Sequence, residues 1–196
     1  VKHFIVILSI ILSGYTASSQ CDSLENAKTY YSLDKAMLNP EEVYILDLSR
    51  KRLKEFPKDI LKCKNLQVLI LNKNKLKDIP QDISQLSCLR ILKIRANRLQ
   101  SIPNGVFLLK SLEKLDLADN EIATIPDEIG RLTELKELIL WSNIIGEYSP
   151  ELSKLIKLEL LDLLNIQMTR EEQDLVESLV PNATIVFSEP CDCDFD

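Results

Sequence analysis

The chain has 196 residues, 45% hydrophobic and 28% charged, which suits one folded domain with a substantial core and excludes a disordered segment. Its formal net charge of -6 argues against nucleic acid as a partner, unless a local basic patch overrides the total.

Residues 1–19 read as a secretory signal peptide. Lys2 precedes an apolar run from Phe4 to Leu12, and small residues, Ala17 and Ser19, come next at the expected cut. The run is too short to span a bilayer, so no membrane span is expected and export is. A buried N-terminal helix is the alternative. Cys21 raises a second one, a lipid anchor, but Gln20 is bulky where a lipid-attachment motif wants a small residue. Cleavage would remove His3, the only histidine, and with it every catalytic triad, Cys/His pair and histidine metal site. Gly105, Gly130 and Gly146 stand too far apart to cradle a phosphate. No enzyme, cofactor or metal site is expected.

Residues 20–42 carry Leu24, Ala27, Tyr31, Leu33 and Met37, with Pro40 as a stop. One or two short helices are expected there, covering the first strand of the segment that begins at Val43.

Residues 43–168 repeat themselves. Written in 23-residue lines from Val43, Leu66, Leu89, Leu112, Leu135 and Leu158, the chain aligns in columns. Columns four and six hold Leu46, Leu69, Leu92, Leu115, Leu138, Leu161 and Leu48, Leu71, Ile94, Leu117, Leu140, Leu163. They alternate with mixed positions, the period of a short strand with one buried face. Column nine holds Asn74, Asn97, Asn120 and Asn143. An amide carries donors and acceptors, so stacked copies at a tight turn predict a hydrogen-bonded ladder. An apolar-Pro pair comes next, as in Ile79-Pro80, and the proline suits the first position of a helical turn. Apolar residues spaced by three, such as Ile83 and Leu86, then mark one face of a helix or 3-10 segment. Each line is strand, turn and helical return. Only stacking gives such a unit enough burial, so six units form a solenoid.

This pattern, seen at full length in "NLQVLILNKNKLKDIPQDISQLS", resembles the leucine-rich repeat family, in particular the 23-residue "IP" subclass of small secreted bacterial proteins. The resemblance covers residues 43–165 and weakens at the ends, where Lys51 and Ile166 occupy the asparagine column. It implies an α/β solenoid, a curved right-handed stack of short parallel strands with helical or 3-10 returns, capped at both ends. It also implies a recognition scaffold that takes a protein or peptide on its concave face.

Residues 169–188 read as the C-terminal cap. Thr169-Arg170-Glu171-Glu172 is a capping box, Leu175 and Leu179 mark an apolar helix face, Pro181 ends it, and "ATIVF" is a last strand. Residues 189–196 form a flexible Cys/Asp tail. Cys63 replaces a core leucine, and Cys88 ends a line, partly exposed. Cys21 could pair with a tail cysteine only across the distance between the two ends, and five cysteines leave one odd thiol.

Columns three, five and seven of the strands face outward and offer two candidate patches. Lys93 and Arg95 stand beside Asp116, which reads as a self-satisfied surface pair or as a charge-recognition site. Trp141 stands with Ile139 and Leu164, which reads as a binding hot spot or as a patch covered by the cap. The expected function is an exported, monomeric protein- or peptide-binding module. The alternative is a carbohydrate or cell-envelope binder on the same scaffold.

Overall fold

A computed structural model describes Cys21, Leu24 and residues 27–191. The signal peptide expected over residues 1–19 and most of the expected tail lie outside the described residues.

Six three-residue strands carry the repeat: β2 (Ile45–Asp47), β3 (Val68–Ile70), β4 (Ile91–Lys93), β5 (Lys114–Asp116), β7 (Glu137–Ile139) and β9 (Leu160–Asp162). All pair in parallel, and each register step is one line: Leu46 lies beside Leu69, then Leu92, Leu115, Leu138 and Leu161. Those six leucines are fully buried. Columns six and eleven join the same core from Leu48 to Leu163 and from Leu76 to Ile145. A one-residue slip would turn column four to the solvent, so the repeating leucines set the register.

The returns are 3-10, as over Lys58–Lys62, Gln81–Gln85 and Asp127–Arg131. The proline does not open them as expected. It stands one place earlier, and its carbonyl accepts the N–H three residues on, as in Ile60 to Pro57 and Ile83 to Pro80, both 3.0 Å. In the fifth line Ser149 takes that place and Pro150 starts the turn; Ser149 Oγ accepts the Glu151 N–H at 3.0 Å and donates to Asp127 Oδ1 at 2.6 Å. On the return side β6 (Thr124–Ile125) and β8 (Glu147–Tyr148) form a second small parallel sheet.

The N-terminal cap combines a strand, one short helix and a 3-10 turn over Pro40–Glu42, which Pro40, expected as a stop, opens. A strand, β1 (Thr29–Tyr30), pairs in parallel with β2, and one short helix, α1 (Leu33–Ala36), comes after it. Thr and Tyr suit a strand, and an added strand satisfies the edge of β2 directly. Tyr31, expected to cover the core, is 64% exposed. At the other end α2 (Arg170–Leu179) begins with the capping box of Thr169 and Glu172. Its buried face is Gln173 and Val176; Leu175, expected on that face, is 49% exposed. β10 (Thr184–Val186) closes the sheet beside β9.

The cysteines depart most from expectation. Cys21 is bonded to Cys88, and Cys88 is buried. The N-terminal segment therefore crosses to the end of the second line instead of reaching for the tail. A sulfur in this bond holds no lipid, which removes the anchor considered for Cys21. Cys191 is also disulfide-bonded. Cys63 is free and fully buried, and burial, with Glu41 adding to it, pushes its thiol up to about 11.

Candidate binding site on the strand face

The asparagines of column nine hold the turn after each strand. Asn120 Nδ2 donates to Leu117 O in its own line at 2.9 Å and to Ile94 O in the line before at 3.1 Å. Its Oδ1 accepts the Leu99 N–H at 3.1 Å. Asn74, Asn97 and Asn143 repeat this scheme at their own lines. Each amide serves its own turn and the preceding one. Line one has no preceding repeat to serve, which explains why Lys51 is tolerated there.

Column five has a second local device. Asp47, Asp116 and Asp162 each accept, through Oδ1, the N–H two residues on, at 2.8, 3.2 and 3.1 Å. These carboxylates stiffen the strand ends and lie on the outer strand face.

That face brings the two candidate patches together. Arg95 and Trp141 occupy column seven two lines apart, with Ala118 between them. The Arg95 guanidinium carbon lies 4.3 Å from the centroid of the Trp141 ring. Ala118 is fully buried, as expected of a small residue roofed by two long ones. Trp141 is half-buried, and what stands on it is Arg95. Arg95 Nε is buried with no hydrogen-bond partner. Ile139 is half-buried beside it, and Leu164 is 42% exposed.

The expected self-satisfied pair is not formed. Lys93 and Asp116 are register partners, yet no ion pair among the described residues includes Lys93, Arg95 or Asp116. Asp116 turns to the Ala118 amide instead. Burial pushes its carboxyl above the ordinary value, while that amide and the charges of Lys93, Arg95 and Lys114 act the other way. A cation on a ring, an unpartnered guanidinium nitrogen and a desolvated carboxylate thus share one patch. Such a patch can accept a hydrogen-bonding chain with an apolar neighbour.

Charges are satisfied elsewhere on the sheet. Arg90 and Lys136 bond Glu113 from both sides at 2.6 and 2.8 Å. These two bonds, Arg90 first, hold the Glu113 carboxyl down to about 2. Lys114 pairs with Glu137 in the next line. Sequence reasoning missed this network, although its signal, opposite charges 23 residues apart, is present. Among the described residues no group of His, Cys, Asp and Glu could hold a metal ion.

A profile of the leucine-rich repeat region matches residues 43–184. The chain belongs to the leucine-rich repeat family. Leucine-rich repeat proteins serve commonly as non-enzymatic interaction scaffolds. Three solved leucine-rich repeat structures are similar to it. One is a Leptospira interrogans leucine-rich repeat protein, 26% identical, TM-score 0.50, covering 82% of this chain and 58% of that one. Another is internalin C2 of Listeria monocytogenes, 20% identical, TM-score 0.62, covering 75% and 62%. The third is the ectodomain of the plant membrane receptor kinase GASSHO1/SCHENGEN3 from Arabidopsis thaliana in complex with Casparian strip integrity factor 2, 24% identical, TM-score 0.59, covering 83% and 23%. The chain spans less than two thirds of the length of each. No curated protein matches it in sequence. Among the described residues no helix is long and apolar enough to cross a membrane.

Proposed function

We propose that the chain is an exported binding module that, as a monomer, takes a protein or peptide on its concave strand face. The site comprises Trp141, Arg95, Ile139, Leu164, Lys93 and Asp116. The observation that carries this reading is the Arg95–Trp141 stack with its unpartnered Nε. A buried guanidinium nitrogen without a partner costs stability, so an acceptor supplied by a ligand would offset that cost. The aromatic ring and Leu164 beside it supply the apolar contact that binding hot spots need. Two disulfide-bonded cysteine sites support an oxidising compartment and hence export.

The test compares capture from envelope and secreted extracts by the wild type, Trp141→Ala and Arg95→Gln. A partner held by the wild type should bind each variant more weakly by about 2 kcal/mol or more, roughly thirtyfold. Circular dichroism checks that both variants fold. A partner that binds all three equally would move the site off this face.

A further inference from the structure

Beyond the strand face, the turns of the first three lines carry a ridge of cations. Column eleven packs inward in all three lines and column nine does so in line two, while in line one Lys51 is exposed at column nine; columns eight, ten and twelve carry the outward side chains. Column ten stacks Arg52, Lys75 and Arg98 in successive lines, all exposed. Their neighbourhood is fixed by the backbone: Lys75 N–H bonds Leu53 O at 2.8 Å and Arg98 N–H bonds Leu76 O at 2.9 Å. Column eight adds Arg50 and Lys73, and column twelve adds Lys54 and Lys77, again exposed. None of these side chains forms an ion pair among the described residues. The ridge stops sharply in line four, where columns eight and ten become Asp119 and Glu121.

This arrangement runs against the habit of the rest of the molecule. On the strand edge, neighbours one line apart alternate in sign, as in Arg90–Glu113–Lys136. On the ridge they repeat one sign at the strand spacing of about 4.8 Å. Like charges so placed repel, and no ion pair among the described residues relieves them.

We infer that this ridge binds an anionic glycan, a chain bearing sulfate, phosphate or carboxylate groups along its length. A polymer with repeated anions would place one group over each column and release its counterions on binding. No aromatic side chain stands in columns eight to twelve of these lines, so the stacking platform that single-stranded nucleic acid uses is missing. The leucines between the cations, Leu53, Leu76 and Leu99, face inward, so no apolar side chain enters a lipid interface. The choice of a glycan over nucleic acid also rests on the exported reading above. The ridge begins beside Arg95, whose carbonyl accepts the Lys73 N–H at 2.8 Å, but Lys75 lies outside the Arg95–Trp141 stack, so each test can fail alone.

The probe is immobilised heparin, with the wild type, Lys75→Glu, Lys75→Gln and Arg131→Glu eluted by salt. Arg131 is an exposed cation on a return and matches the charge change of Lys75→Glu. Lys75→Glu should lose about tenfold in affinity, Lys75→Gln less, and Arg131→Glu little. Lys75→Glu should also raise the urea midpoint, because it places a carboxylate between Arg52 and Arg98. Equal elution of wild type, Lys75→Glu and Arg131→Glu overturns the site. Tighter binding to duplex DNA, or to vesicles of phosphatidylserine in phosphatidylcholine, than to heparin at the same salt overturns the glycan.

Discussion

A single buried amide ties two turns together in this molecule. Asn120 joins two lines by donating to the Ile94, Leu117 and Ala118 carbonyls and accepting one bond, and it is 9% exposed. Removing it leaves the Leu99 N–H without its partner in a dry site, while the Ile94 and Leu117 carbonyls keep the amides of Asn97 and Asn143; one buried donor left unpaired costs more than its bond contributes. Asn120→Ala should lower stability by about 1–3 kcal/mol in urea unfolding. Asn120→Asp should cost a similar amount, since a carboxylate accepts but cannot donate. Equal stability of either variant and the wild type would show that water replaces the amide at no cost. The same scale explains Asp116. Its shape fits the turn, yet burial penalises its charge, as the raised carboxyl shows.

At the scale of the element, each return must lie close on its neighbour. The 3-10 turn Val106–Leu108 comes after Gly105, whose backbone angle φ of -63° any residue could adopt. What the site excludes is a side chain. A Cβ at Gly105 would meet Gln81 Cα and Ile83 Cγ2 at 2.8 Å and Gln81 O at 2.9 Å. Backbone cannot yield there as a flexible side chain would. Gly105→Ala should therefore cost about 1–3 kcal/mol, read as a lower thermal midpoint. Gly146 has open space around it, so Gly146→Ala serves as the control and should leave the midpoint within a few degrees. A Gly105→Ala midpoint matching that control would mean that the return shifts freely.

At the scale of the whole molecule, the Cys21–Cys88 bond ties the leading segment to the end of the second line across 67 residues. Closing a loop of that size removes freedom from the unfolded chain, and loss of such a bond typically costs about 2–5 kcal/mol. Cys21→Ser with Cys88→Ser should lower stability in urea unfolding by that amount, and a reductant should destabilise the wild type more than the double variant, in which only the disulfide of Cys191 is left to reduce. A midpoint indifferent to reductant would show that the segment is held by packing alone. The same stacking that carries stability along the solenoid also sets its surface. Line spacing decides which surface side chains meet, and so it builds both the Arg95–Trp141 patch and the cation ridge.

Everything periodic is legible in the chain alone. The 23-residue spacing places Leu46, Leu69 and their successors at one column, and one buried face per strand results from alternation. The capping box at Thr169 and Glu172 is readable for a related reason, because both partners lie within one helical turn. Where the chain stops repeating, legibility ends: the segment before Val43 has no period, so its strand and its path to Cys88 are not visible in it. The candidate site is hidden differently. Its residues stand out in the sequence, but as two patches, Lys93–Arg95–Asp116 and Trp141–Ile139–Leu164. A register shows which residues are neighbours, not how far a long side chain reaches. Packing in three dimensions carries Arg95 over Ala118 onto Trp141 and turns Asp116 toward the backbone, because side-chain direction and burial depend on every stacked line at once.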